Sequence, residues 1–168
     1  MGFKETSELI AVSFGVAELG PNTFIQEEVA LQLDVLNNEI AVIYAIDLNL
    51  TPPDALAGID TAASASVSST EITTVGTLSQ TNTLAVARDS IRAAGFVDSG
   101  VAFSRAASES YQGDIPYIGL IATNNFFVQL QGTGNLVPKN VNGRVWMRRA
   151  RADSSTYAAL VQSEVLSA

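Results

Sequence analysis

Hydrophobic residues alternate with small or polar ones along much of this chain, and the alternation is already clear near its start. Between residues 8 and 17, Ile10, Val12, Phe14 and Val16 alternate with Leu9, Ala11, Ser13 and Gly15. A period of two with β-branched and aromatic residues predicts a half-buried strand. Gly20-Pro21-Asn22 then punctuates the chain. Val29, Leu31, Leu33 and Val35 alternate with Ala30, Gln32 and Asp34, and after Asn37-Asn38 a second set, Ile40, Val42, Tyr44, Ile46 and Leu48, shares one face. Asparagine tolerates the left-handed backbone of a two-residue turn, so this stretch predicts a β-hairpin turning at Asn37-Asn38. Thr51-Pro52-Pro53-Asp54 ends its second strand, since proline cannot donate to a ladder.

The pattern changes over residues 61–83, where 12 of 23 positions are Ser or Thr and Glu71 is the one charge. Val67, Ile72, Val75 and Leu78 recur inside it, which predicts one or two solvated strands joined by loops. The other reading of so much Ser and Thr is a low-complexity linker. Residues 84–95 lack strict alternation and predict a short helix ending at Gly95. Phe96, Val97, Val101 and Phe103 around Gly100 suggest a strand over 96–104.

The last third is again strand-like. Residues 117–123 form an apolar run between Pro116 and Asn124-Asn125. Phe126, Val128 and Leu130 then face one way and Phe127, Gln129 and Gln131 the other, with a turn at 131–135 and a second at Asn142-Gly143. From Arg144 to Ala152, Val145 and Met147 lie on one side and Arg144, Trp146 and Arg148 on the other. Asp153 can cap a final short helix with Tyr157, Leu160, Val161 and Val165 on one face. About eight short strands, many turns and one or two short helices predict an all-β, antiparallel two-sheet sandwich or barrel. No internal repeat or domain boundary divides residues 1–168.

Composition narrows the chemistry. The chain has no histidine and no cysteine, and its lysines are Lys4 and Lys139. Those missing side chains supply most general bases near neutral pH, most transition-metal ligation and all thiol chemistry. With no His there is no Ser-His-Asp triad, and no catalytic residue, metal or cofactor is assigned. At 47% hydrophobic and 15% charged the chain is globular rather than disordered. No apolar run reaches about 18 residues, so no segment reads as a membrane-spanning helix. The acids ahead of the first apolar run make a poor secretory signal. Gly2 and Thr6 fit a myristoylation pattern, for which a start methionine and a small residue are the simpler reading. Asn49-Leu50-Thr51 fits a glycosylation pattern, but one that arises easily by chance.

The net charge of −8 is unevenly divided. Residues 1–87 hold eleven acids and one lysine, a balance of −10; residues 88–168 hold seven arginines, one lysine and six acids, a balance of +2. An acidic chain gives no strong nucleic-acid signal. A dipolar one can set its two ends against neighbouring copies, and acidic surfaces also simply keep a protein soluble.

Among candidate sites, Gly132-Thr133-Gly134 is a superficial match to a phosphate-cradling loop and reads better as a turn. Glu27, Glu28, Asp34, Glu39 and Asp47 are the acids from which a glycoside-cleaving pair would have to come, but Asp34 and Asp47 fall on polar sides of alternating segments, as solvated acids do. The dense charge feature is Arg144, Arg148, Arg149 and Arg151 around Trp146. It suits inter-subunit pairing with carboxylates, contact with a polyanion, or a strand edge charged against aggregation.

The stretches PYIGLIATNNFFVQLQGTGN (116–135) and VNGRVWMRRARADSSTYAALVQSE (141–164) resemble the closing strands of single jelly-roll capsid proteins of tailless icosahedral viruses. The rest of the chain is similar to them in general pattern: short apolar strands, Ser/Thr-rich loops and many small residues. The resemblance implies a jelly-roll sandwich, no active site, and a virion location as a shell subunit partnered by copies of itself, with room for a second capsid protein. It implies that Arg144, Arg148, Arg149 or Arg151 meets acids from the first half of another copy. Residues 1–30 depart from the basic N-terminal arm of many capsid proteins, which argues against genome binding there. A carbohydrate-binding or adhesion module, with Trp146, Tyr111 and Tyr117 as its aromatic material, is the alternative; a carboxylate-based enzyme is a further one.

Overall fold

The computed structural model describes residues 2–95, 103–108 and 115–167. The described residues form ten strands and one α-helix: β1 (Phe3–Glu5), β2 (Ile10–Ala17), β3 (Ile25–Ala30), β4 (Glu39–Leu50), β5 (Thr61–Ser68), β6 (Thr83–Arg92), β7 (Phe103–Ser108), β8 (Gly119–Ile121), β9 (Asn125–Thr133), β10 (Asn140–Ala152) and α1 (Ser154–Ser167). A 3₁₀ turn at Val35–Asn37 precedes β4.

The strands pair antiparallel in two sheets. In the first, β10 lies between β4 and the N-terminal strands: β2 runs along Asn140–Met147 and β1 along Ala150–Ala152, while β8 pairs the far side of β4. The second has the order β3-β9-β5-β6-β7. The pairs β2 with β10, β3 with β9, β4 with β8 and β5 with β6 nest inside one another. They describe one long hairpin, with its tip between β5 and β6, wrapped into two facing sheets. That is the jelly-roll arrangement, with β7 added beside β6.

The inward faces supply the core, where Val16, Ile43, Ile46, Val141, Val145 and Met147 of the first sheet meet Val67, Phe126, Val128 and Leu130 of the second. Phe14 and Phe126 join the sheets edge-to-face, with ring centroids 5.9 Å apart, a favourable arrangement for aromatic quadrupoles. Ala65, Ala85 and Ala87 are buried on the paired strands β5 and β6. The β4–β10 register shifts at Trp146/Met147, leaving Tyr44 as an extra residue. This bulge lets Ile43 and Ile46 both point inward although they are three residues apart.

Both outer faces carry a cover. On the first sheet, Ile40, Val42, Ala150 and Ala152 form a second apolar cluster against Tyr157, Leu160 and Val161 of α1. Asp153 caps that helix, accepting from the Thr156 amide at 2.8 Å, and this donor first holds its carboxyl below the ordinary range. Glu164 pins the helix to the sheet by accepting from the amides of Ala122 (2.8 Å) and Thr123 (3.2 Å). Burial pushes the Glu164 carboxyl up, against the opposing pull of those amides. On the second sheet, residues 69–82 fold back over a buried polar ladder. Gln129 accepts from Ser66 Oγ at 2.7 Å and donates to Gln26 Oε1 (2.7 Å) and Ser68 Oγ (2.8 Å). The loop joins it through the Gly76 amide, 2.8 Å from Ser66 Oγ, and the Ile72 amide, 3.0 Å from Gln26 Oε1.

Several expectations are corrected. Residues 29–48 form no hairpin: β3 pairs β9 and β4 pairs β10, so the chain crosses between sheets after the 3₁₀ turn. Asn38 is left-handed, at φ 55°, but it closes that turn. Of residues 84–95, those up to Arg92 belong to strand β6, not to a helix, because ladders on both sides outweigh alanine's helical preference. The Ser/Thr-rich stretch supplies β5, a buried central strand rather than a solvated one. Asn142-Gly143 lies inside β10, where a Cβ on Gly143 would come 2.4 Å from the Asp47 carbonyl oxygen and 2.6 Å from the Phe14 ring; the glycine serves close approach, not a turn. Val165 is exposed, and the buried residue of that last turn is Glu164. Of the strand suggested over 96–104, all but 103–104 lies outside the described residues; those two begin β7.

Candidate functional site

Strand alternation divides the arginine cluster in two. Arg144, Trp146 and Arg148 share the outer face of the first sheet, next to Asp47 and Tyr44 of β4. Arg144 Nε donates to Ser13 Oγ at 3.3 Å, and its guanidinium lies 5.7 Å from the Trp146 ring centroid. Trp146 Nε1 donates to Asp47 Oδ2 at 3.3 Å. Arg148 lies over the Tyr44 ring and pairs with Glu5 at 2.9 Å. Arg149 has the opposite parity. It pairs with Glu39 at 2.7 Å and donates to the carbonyls of Gln32 (2.9 Å) and Leu31 (3.4 Å), tying β10 to the chain before β4. Arg151 is exposed, in a shallow depression with Lys4, Thr6 and Asp153. The acids met by Arg148 and Arg149 thus come from the acidic first half of the same chain, because β1 and β4 flank β10.

A second polar cluster, not anticipated from sequence, lies at the end of the sandwich where three loops converge: residues 18–24, 51–60 and 134–139. Glu18 is buried and accepts from the amides of Gly132 (3.0 Å) and Lys139 (2.8 Å). The Lys139 side chain, 2% exposed, donates to Asp54 at 2.7 Å. Asp54 also accepts from the amides of Leu136 (2.8 Å) and Val137 (3.2 Å). Asn135 bridges the three loops, accepting from the Asp54 amide and, through its own amide, donating to Asn22 Oδ1. Gly134 makes the turn at φ +70°, where a Cβ would come 2.5 Å from the Asp60 carbonyl oxygen. Only the placement of Glu18, Asn22, Asp54 and Asn135 at strand-ending turns could have pointed to this cluster, since its partners are up to 121 residues apart.

The Lys139 ammonium, then the Leu136 amide, hold the Asp54 carboxyl below its ordinary value of 3.8. A depressed carboxyl contributes stability that is present above its unfolded value and lost as pH falls through its folded one. Acid unfolding is therefore expected to show a loss below about pH 4 that depends on Asp54. Stability curves of wild type and Asp54→Asn, measured by thermal unfolding from pH 7 to pH 2, are expected to start apart and converge at the acid end. Parallel curves would show that the pair is not the source.

Other residues singled out in the sequence have structural placements. Gly132-Thr133-Gly134 ends β9 and begins the turn into β10. Asp34 caps the 3₁₀ turn, Asp47 serves Trp146, Glu39 serves Arg149 and Glu28 accepts from Asn125 at 2.9 Å. Glu27 is exposed on the edge strand β3. Tyr117 is half-buried edge-on against Phe3, and Tyr111 lies outside the described residues. Among the described residues, no three His, Cys, Asp or Glu side chains group as a metal site, and no helix is long and apolar enough to cross a membrane.

Fold and polar clusters together define a jelly-roll domain whose best-organised polar groups fasten loops and strands to one another. Comparison with protein-family models and with curated protein sequences finds no match for this chain.

Proposed function

We propose that this protein is a structural subunit that self-assembles into a closed shell, as the capsid protein of a tailless icosahedral virus. The observation that carries the reading is the wrapped-hairpin topology with a cover on each outer face. Such a body presents edges and loop ends to its neighbours, and a closed shell is built from a few repeated, reciprocal contacts of that kind. The buried and half-buried charges support the same reading, because they serve rigidity: Lys139, Asp54 and Glu18 lock loops, and Arg149 locks β10. Light scattering of the purified chain across a salt series, with electron microscopy of the same sample, tests it. Symmetric particles, or stable trimers or pentamers, are expected. A monomer of 17.7 kDa at every concentration would overturn the proposal.

The arginines then have separate roles. Arg144 and Arg151 are exposed and suited to acids of a neighbouring copy, whereas Arg148 and Arg149 serve the fold. Reversing Arg148 and Arg149 to glutamate is expected to lower stability by roughly 1–2 kcal/mol, as partly exposed pairs do. Reversing Arg144 and Arg151 is expected to leave the melting temperature in place and weaken assembly. The opposite pattern in scattering and thermal scans would reject the division.

A second reading has one specific observation behind it. Ser13, Asp47, Asn49, Asn142 and Arg144 line a shallow depression beside Trp146, a mixture of amide, acid and aromatic groups suited to sugar hydroxyls. The indole N–H already bonds Asp47 and the ring already faces Arg144. A glycan-binding screen in which Trp146→Ala removes a signal would favour this reading over the shell.

A further inference from the structure

Several charged residues find partners within the molecule: Arg148 pairs with Glu5, Arg149 with Glu39 and Lys139 with Asp54. Lys4 and Arg151 differ. They stand opposite each other in the register of the antiparallel strands β1 and β10, both exposed, and with Thr6 they line one depression. Like charges directly opposite across two strands repel and weaken the pairing that carries them. The acids close by do not relieve them. Glu39 is the register partner of Arg151 on β4, but its carboxylate is taken by Arg149. Asp153 lines the same depression, but its carboxylate accepts from the Thr156 amide and the Ser155 hydroxyl. Among the described residues, no carboxylate forms an ion pair with either cation.

The converse lies on β3. Glu27-Glu28 is the one place in the sequence where two acids adjoin, and both are exposed on an edge strand. Among the described residues, Glu27 has no ion-pair partner and Glu28 accepts from the neutral side-chain amide of Asn125. Successive side chains of a strand point to opposite faces, so these two straddle the free edge and both reach a body that approaches it. Their charge opposes the addition of another strand there, which leaves a cationic surface as the fitting partner. The other exposed acids without an ion pair, Glu8 and Glu71, stand singly outside the strands.

Resting on the shell reading, we infer that Lys4 and Arg151 of one copy receive Glu27 and Glu28 of a neighbouring copy. The contact sets two positive charges against two negative ones, and arginine's planar fork suits a carboxylate. The net charge of −8 on each copy opposes association at long range. Physiological salt screens that repulsion beyond about 8 Å, and paired groups meet well inside this distance. A polyanion such as RNA would instead bring its whole length against the acidic remainder of the surface.

The test uses two double variants, Lys4→Glu/Arg151→Glu and Glu27→Lys/Glu28→Lys, each followed by sedimentation velocity, electron microscopy and a thermal scan. All four side chains are exposed, so melting temperatures are expected to stay near that of wild type. Neither variant is expected to assemble at concentrations where wild type does. An equimolar mixture of the two is expected to assemble again, since each carries what the other lacks. Net charge alone predicts otherwise. Each reversal shifts it by two, so from −8 it becomes −12 in the first variant and −4 in the second, which would make the second assemble better than wild type. A Glu27→Lys/Glu28→Lys variant that assembles as readily as wild type would overturn the inference and leave the shell reading standing, as would a mixture that stays unassembled. Heparin binding by wild type, lost in a Lys4→Glu/Arg151→Glu variant that still assembles, would assign the cations to a polyanion and overturn it too. A wild type that is monomeric at every concentration would overturn both.

Discussion

Replacing Glu18 with alanine is expected to destabilise the fold by about 3–5 kcal/mol, since two buried amides lose their only acceptor and each such loss costs about 1–3 kcal/mol. The amides belong to Gly132 and Lys139, on either side of the loop that joins β9 to β10. For a chain of this length the loss corresponds to a fall in melting temperature of roughly 10 °C. Urea or thermal unfolding of the purified variant measures it. Glu18→Gln retains one acceptor and is expected to fall between alanine and wild type. A change below about 1 kcal/mol in the alanine variant would mean that the loops hold without this carboxylate.

The second large effect is expected at Gln129, a fully buried amide on the outer face of β9. Gln129→Ala removes the acceptor of Ser66 Oγ and a donor to Gln26 and Ser68, and leaves a space that the ladder cannot close. The cost is expected to be about 2–4 kcal/mol, from unmet polar groups and the cavity together. The change also has a local signature. Residues 69–82 are held to the sheet through Ser66 and Gln26, so proteolytic cleavage within that loop should accelerate more than global unfolding alone predicts. Equal acceleration at all sites would mean that the ladder supports the whole sandwich and not the loop in particular.

These two positions also mark where the sequence stops being legible. β2 could be read directly because its inner residues pack and its outer ones are polar or small, so burial follows the alternation. The inward face of β9 was legible for the same reason, as was the Asp153 cap, which depends only on residues within three positions. β5 was not, because it is buried on both faces. Its outer hydroxyls look solvated until Gln129 and the returning loop are placed over them. β6 carries buried Ala85 and Ala87 opposite Val67 and Ala65 of β5, and small residues in place of larger apolar ones blur the strand alternation and resemble a helix. The expected hairpin failed on topology: the local pattern marked a strand ending and another beginning, but which strands pair was decided by partners a hundred residues away. The arginine cluster was visible as composition, while its division between two faces required the register against β4. The Glu18, Asp54 and Lys139 cluster joins three loops that share no sequence pattern at all.

The place of β10 has a consequence for how the molecule comes into being. Residues 140–152 sit in the middle of the first sheet, yet they are synthesised after β1, β2 and β4, the strands that they hold together. On the ribosome, those earlier strands have an open centre while the chain grows from Leu50, the end of β4, to Asn140, and non-local pairings of this kind close slowly. The first sheet therefore completes as a single late event. No properly built first sheet exists before β10 has emerged, so a chain cut short ahead of Asn140 lacks the strand that joins β4 to β1 and β2.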